Sequence, residues 1–244
     1  MKFAIISDIH SNLEAFIAVF NDIKKNNIKE IFCAGDLIGY GPNPNEIVKA
    51  VIENNIKSVG GNHDYALADN LLLEKFNSNA KKTILITREI ILPEYFNYIL
   101  NLPVKISKHN FLFVHGCPPD SFTKYIIYVS DDVLKDIFIK TNHFISFTGH
   151  SHVPEIIRFN NGNIIRSVLN KGLINLDSSD KYIINVGSVG QPRDNNNNAK
   201  YVIYNTDDYS IDLKYVEYDI KKTAEKILKL NLPSYNAERL FYGI

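Results

Sequence analysis

The chain of 244 residues belongs to the α/β class. Two observations predict it. Short apolar runs of strand length alternate with amphipathic stretches of helical period, and nearly every early run ends in a polar cluster rich in Asp, Asn and His. A third observation bears on organisation: no internal repeat and no linker divides residues 1–244, so one domain is expected.

Residues 3–6 read as a buried strand that ends at Ser7-Asp8-Ile9-His10. A helix should follow, because Ser11 and Glu14 have capping-box spacing and Leu13, Phe16, Ile17 and Phe20 keep helical period. Asp8 and His10 then sit between a strand's carboxyl end and a helix N-terminus, where free N–H groups favour phosphate. A second strand, residues 30–34, ends at Gly35-Asp36. Beyond the loop 37–41, Asn43 suits an N-cap and Pro44 the first position of a helix running to about residue 55. The third strand, 56–59, ends at Gly60-Gly61-Asn62-His63-Asp64.

Residues 66–103 change the rhythm. Apolar positions recur at helical spacing, which predicts two helices broken near Asn77-Ser78-Asn79; they could cover one side of the site, with packing the expected role. Strands resume at 111–114, ending at His115-Gly116. The loop 117–130 holds Tyr125-Ile126-Ile127-Tyr128, a candidate for a pocket wall or a subunit contact. A helix over 131–140 precedes the strand 144–148 and the motif Gly149-His150-Ser151-His152. Asn160-Asn161-Gly162 is a turn joining a hairpin of 155–159 with 163–167. The run 182–186 leads into Gly187-Ser188-Val189-Gly190-Gln191-Pro192-Arg193-Asp194. Asparagines 195–198 read as a solvated loop without structural weight. The strands 200–204 and 211–218 form an antiparallel pair, 219–230 is an amphipathic helix, and the last dozen residues show no chemistry.

Apolar residues make up 45% and charged residues 22%, enough for a large core and against disorder. Lys plus Arg and Asp plus Glu both number 27, so net charge advertises neither a nucleic-acid nor a membrane surface. Cys33 and Cys117 are too few for a disulfide framework and suit a reducing compartment. The first apolar run stops at Asp8, too short for a signal peptide or membrane span, and no later run qualifies. A cytoplasmic location is expected, with a homo-oligomer as an open alternative.

Six strands end in Asp8/His10, Asp36, Asn62/His63/Asp64, His115, His150/His152 and Asn185/Arg193. Functional crevices of open α/β sheets lie outside the carboxyl ends of strands, so these side chains should converge. Five of the seven histidines fall in the clusters, whereas His109 and His143 precede strands and are expected at the surface. Taken alone, the His150-x-His152 pair fits two polar loop residues as well as two ligands. Mixed oxygen and nitrogen donors suit Mn²⁺, Zn²⁺, Fe²⁺ or Ni²⁺. The donors are too many for one tetrahedral ion, and two ions bridged by a carboxylate would use them all.

At this point the motifs resemble a known family. Asp8-x-His10, Gly35-Asp36, Gly61-Asn62-His63-Asp64, the strand-end His115 and Gly149-His150-x-His152 are similar to those of the calcineurin-like metallophosphoesterases. Residues 39–44 and 187–194 further resemble a prokaryotic subgroup of single-domain phosphodiesterases and phosphatases. The resemblance implies a four-layer α/β/β/α sandwich of two mixed sheets flanked by helices. It implies two divalent transition-metal ions, with Mn²⁺ first among them. Asp8, His10 and His152 would hold one ion, Asn62, His115 and His150 the other, and Asp36 would bridge. His63 matches the catalytic histidine and Asp64 the acidic residue that orients it. Asn185-Val186-Gly187-Ser188 departs from the subgroup's Asn-Pro-Gly-Ser, and no arginine follows Asp64, which weighs against a protein serine/threonine phosphatase.

The expected reaction is hydrolysis of a phosphodiester, or of a phosphomonoester, in a small or nucleotide-like substrate by hydroxide generated between the metals. Arg193 is the candidate second phosphate contact, set against a simple salt bridge to Asp194. The alternatives are a dinucleoside polyphosphate hydrolase and, in a different class, a metal-free scaffold of the same fold. Without a Lys/Arg cluster near the site a nuclease is disfavoured.

Overall fold

Burial on both faces explains why the first strands read as unbroken apolar runs. In the computed structural model, which describes residues 1–244, β1 (Lys2–Ile6) turns Phe3 and Ile5 to one side and Ala4 and Ile6 to the other, all four buried. The first half continues with α1 (Leu13–Lys25), β2 (Glu30–Cys33), α2 (Pro44–Glu53), β3 (Lys57–Ser58) and the single turn α3 (Asn62–Tyr65). Next come α4 (Asn70–Leu73), α5 (Ser78–Ile90), α6 (Pro93–Leu100), β4 (Lys105–Lys108) and β5 (Phe111–Val114). The second half holds α7 (Asp131–Lys140), β6 (Ile145–Thr148), β7 (Glu155–Asn160), β8 (Asn163–Val168), β9 (Gly172–Asn175) and β10 (Lys181–Asn185). It ends with β11 (Ala199–Asn205), β12 (Ser210–Val216), α8 (Ile220–Lys229) and α9 (Ser234–Glu238).

The strands form two six-stranded mixed sheets, ordered β3-β2-β1-β11-β12-β9 and β4-β5-β6-β10-β7-β8. Parallel pairing is confined to β1, β2 and β3 in one sheet and β5, β6 and β10 in the other. These are the six strands whose ends carry the polar clusters. Between the sheets lies an aromatic layer: Phe32 stacks on Phe113 at 4.1 Å, and Phe3 meets Phe111 at 5.3 Å. The outer face of the first sheet packs Ala4, Ile6 and Cys33 against Phe16, Val19, Ile47 and Val51 of α1 and α2. On the outer face of the second, Ile157 and Ile183 meet Leu134 and Phe138 of α7. The result is the expected helix–sheet–sheet–helix sandwich.

Several local expectations need correction. The N-cap of α1 is Asn12, whose Oδ1 accepts the Ala15 N–H at 3.1 Å, not Ser11. Ser11 is held outside the helix by its own N–H, which donates to the Leu37 carbonyl at 2.9 Å. Glu14, freed from the capping box, accepts Lys226 Nζ at 2.6 Å and ties α8 to α1. Asn43 sits at the N-cap of α2 but makes no capping bond; its Nδ2 donates to Glu46 at 2.9 Å. Residues 66–103 contain three helices rather than two, with Asn77 capping α5 through the Ala80 N–H. The short strands β4 and β9 carry no sequence signal. No helix is long and apolar enough to cross a membrane.

The asparagine loop is not idle. Asn196 and Asn198 carbonyls accept Lys200 Nζ at 2.8 and 2.9 Å, and Asn197 Nδ2 donates to the Phe241 carbonyl at 3.1 Å. Lys200 is fully buried, so the loop is the polar lining that lets a charged side chain stay in the interior.

Candidate metal centre

Loops at the carboxyl ends of the six parallel strands meet between the sheets. Asp8, His10, Asp36, Asn62, His63, Asp64, His115, His150 and His152 are all buried there. Five of them hold left-handed backbone conformations, with φ of 52° at Asp8, 48° at His10, 54° at Asp36, 68° at His150 and 61° at His152. Such strain costs about 1–3 kcal/mol per residue and persists where the surroundings dictate where a side chain must aim. Two glycines make room for the carboxylates. A Cβ on Gly61 would lie 2.1 Å from Asp36 Oδ1, and one on Gly149 would lie 2.4 Å from Asp8 Oδ2.

The imidazoles are oriented by carbonyls. His10 Nδ1 donates to Ile38 O at 3.0 Å, His115 Nδ1 to Ala34 O at 2.8 Å, and His152 Nδ1 to Gln191 O at 2.5 Å. Each bond leaves the Nε2 lone pair facing inward. His150 is reversed: Nε2 donates to Thr123 O at 3.0 Å, its ring stacks on Tyr125 at 3.7 Å, and Nδ1 is the free nitrogen.

Three overlapping donor groups result. Asp8, His10 and His152 form the first, Asp36, His115 and His150 the second, and His10, Asp36 and His63 a third that shares a member with each. Asn62 Oδ1 joins the second, 3.1 Å from His115 Nε2. Asp36 Oδ2 lies between the first two, 3.7 Å from His10 Nε2 and 3.2 Å from His115 Nε2. His150 and His152 therefore belong to different groups. Most inward-facing atoms are acceptors packed against acceptors, and a cation among them would relieve that crowding. The oxygen and nitrogen donor set fits divalent metal.

Burial pulls the His150 pKa down to about 3 and that of His63 to about 4, and lowers His10 and His152 as well. All four are neutral near pH 7. His63 lies 4.6 Å from Tyr40 and 4.7 Å from Phe76, ring to ring, and its Nδ1 has no protein partner. No hydrogen bond joins Asp64 to the ring that the sequence expectation had it orient. The Asp64 carboxylate accepts the N–H groups of Leu37 at 3.0 Å, Ile38 at 3.2 Å and Gly61 at 2.9 Å, and so clamps the loops on which Asp36 and Asn62 ride.

A cavity of about 360 Å³ opens beside His63 and His150. Lys75, Phe76 and Asn77 line it together with Tyr40 and Tyr125, so residues 66–103 wall the site as well as pack. Tyr125 is a pocket wall, as one reading of the loop 117–130 anticipated. Asn185 buttresses the His150 loop, donating to Gly149 O at 2.5 Å and Ser151 Oγ at 2.9 Å. Arg193 makes no salt bridge to Asp194, which instead pairs with Lys200 at 2.9 Å. Its Nη2 donates to Gln191 Oε1 at 2.9 Å, an oxygen that also accepts Arg239 Nη1 at 3.1 Å. Arg239 lies among the last residues, where the sequence showed no signal. His109 is exposed, and His143 bonds Ser107 outside the site.

Comparison with known proteins agrees with this geometry. The model of the calcineurin-like phosphoesterase superfamily domain matches residues 1–209. An uncharacterized protein of Methanocaldococcus jannaschii is 44% identical over 246 residues, covering 98% of this chain and 97% of that one. The crystal structure of a metallophosphoesterase from Sphaerobacter thermophilus superposes with a TM-score of 0.86 at 33% identity over 100% of both chains. A hypothetical protein from Pyrococcus horikoshii shares the fold, with a TM-score of 0.81 at 18% identity over 100% of this chain and 98% of that one. With its strand-end motifs gathered into overlapping donor groups and that profile spanning all of them, the chain belongs to the calcineurin-like phosphoesterase superfamily.

Proposed function

We propose that the protein is a two-metal phosphoric ester hydrolase acting on phosphodiesters with an organic leaving group. The observation that carries this reading is the position of Asp36 Oδ2 between His10 Nε2 and His115 Nε2, which links two separate donor groups through one carboxylate. In this reading Asp8, His10 and His152 would hold one ion, Asn62, His115 and His150 the second, and Asp36 would serve both. Manganese, zinc, iron and nickel all suit these donors. When bound, two such cations supply the positive charge that polarises phosphoryl oxygens and acidifies water.

The protein's own part is positional. Burial keeps His63 neutral, so it donates an N–H hydrogen bond to charge developing on the phosphoryl or leaving oxygen rather than acting as a cation. The cavity walled by Tyr40, Phe76 and Tyr125 favours an ester carrying an organic group over a bare phosphate.

The test is turnover of bis(p-nitrophenyl) phosphate, p-nitrophenyl phosphate and diadenosine tetraphosphate by the Mn²⁺-supplied protein. Diester hydrolysis should exceed monoester hydrolysis. Asp36→Asn should lose both metal content and at least about a thousandfold in rate. Full activity in that variant, or hydrolysis of none of the three, overturns the reading.

A further inference from the structure

Two guanidinium groups meet at the rim of the metal centre with no side-chain carboxylate between them. Arg193 and Arg239 both donate to the single neutral oxygen Gln191 Oε1. The remaining protein acceptor of Arg239 is the backbone oxygen of Ile244, reached by Nε. Arg193 Nε is buried and has none. The carboxylate next in sequence, Asp194, is turned away to Lys200. A guanidinium offers five N–H donors in a planar fork, so most of the donors here have no protein acceptor. Like charges held side by side are unfavourable unless an anion joins them; burial and Arg193 both press against the charge of Arg239.

The pair is held rigidly against the metal ligands. Gln191 accepts His152 Nδ1 on its carbonyl, and its N–H donates to Ser188 Oγ at 2.8 Å. Ser188 Oγ in turn donates to the Asp8 carbonyl at 2.9 Å. Arg193 stacks over Tyr40 at 5.6 Å, and that ring touches His63 and His10. Only one aromatic ring therefore separates the Arg193 guanidinium from the residues proposed to surround the scissile phosphate. The C-terminal segment is pinned in place independently of Arg239: Asn236 Nδ2 donates to the Tyr40 carbonyl and to Thr83 Oγ1, both at 3.1 Å.

We propose that Arg193 and Arg239 form a clamp for a second phosphate group of the substrate, set apart from the phosphate that is cleaved. The preferred substrates are then nucleotide-like diesters bearing an additional phosphate. This deepens the hydrolase reading and rests on it. Two forked guanidiniums match the planar, multidentate recognition that phosphate oxygens require. Arg239 is a substrate-binding residue supplied by the end of the chain, outside the residues 1–209 matched by the family.

The experiment compares two substrates that differ in one group: the p-nitrophenyl ester of thymidine 5′-phosphate with and without a 3′-phosphate. In the Mn²⁺-loaded full-length protein the added phosphate should lower KM about tenfold or more at similar kcat. In Arg239→Gln that advantage should collapse to within about twofold, and Arg239→Lys, which keeps the charge but not the fork, should restore only part of it. An added phosphate without effect in the wild type, or an advantage that survives Arg239→Gln, overturns the clamp. Should neither ester be turned over, the hydrolase reading fails, and sulfate titrated calorimetrically into the same protein decides on the clamp alone. One sulfate per chain lost in Arg239→Gln supports it; identical binding in both proteins overturns it.

Discussion

His10 and His152 point their Nε2 atoms at each other across 3.1 Å, although each has already committed its Nδ1 proton to a carbonyl. Two facing lone pairs repel in a buried setting, and a shared cation relieves both. Chelation should therefore destabilise the protein. At free metal a hundredfold above Kd, binding contributes about 2.7 kcal/mol, or about 5–10 °C in Tm for a chain of this size. Differential scanning fluorimetry with EDTA and then with Mn²⁺ checks this; an unchanged Tm would contradict it.

Metal affinity should depend on pH through His115. Burial opposes charge on its ring, but Asp36 and Asp8 outweigh that and push its pKa up to about 9. Below pH 9 the metal-free protein holds a proton where metal charge belongs, and loading must expel it. Affinity should rise with pH, by up to about tenfold per unit as far as pH 9. The stability that this proton gives the metal-free protein has the opposite course: complete below the unfolded pKa near 6.5, it is lost as pH rises through 9. Binding enthalpies measured in two buffers of different ionisation heat reveal the released proton. Equal enthalpies would rule it out.

His63 and Asp64 are neighbours with separate tasks. His63→Ala should keep its metals and lose about 10²- to 10⁴-fold in kcat. Asp64→Asn keeps one oxygen for the Leu37 and Ile38 N–H groups but sets an NH2 against the Gly61 N–H, and should cost about 1–3 kcal/mol of stability. Thermal melts and pH–rate profiles of both variants separate the roles. A shifted pH profile with an unchanged Tm in Asp64→Asn would restore a direct action on the imidazole.

Lys200 holds the loop that the sequence had dismissed. Its ammonium group bonds Asp194 and the carbonyls of Asn196 and Asn198 in the interior. Lys200→Met leaves the Asp194 charge without its partner and should cost about 3–5 kcal/mol. Tm should fall by roughly 6 °C or more; an unchanged Tm would show that the loop is indeed without structural weight.

The candidate centre was legible because its residues obey a local rule. Asp8, Asp36, His115, His150 and His152 each follow a run of buried strand residues, and a strand's carboxyl end is where a parallel sheet leaves its loops open to a ligand. Cap assignment was less legible. Ser11 and Asn12 are both good N-caps by type, and Asn12 prevailed because the Ser11 N–H is bound to Leu37, part of the loop after β2. Asp64 likewise stands beside His63 in sequence yet faces the backbone of residues 37 and 38.

Periodicity and motif order alone therefore determined the α/β alternation, the two sets of strand ends and the residue types that gather there. These depend on contacts within a few residues, or on the type of residue a strand end must carry. Only the tertiary structure decided that Asp64 faces the backbone of residues 37 and 38, that residues 75–77 wall the cavity and that Arg239 meets Arg193 on Gln191. Such contacts join residues far apart in the chain, and their partners are chosen by how the sheets and helices pack rather than by any local pattern.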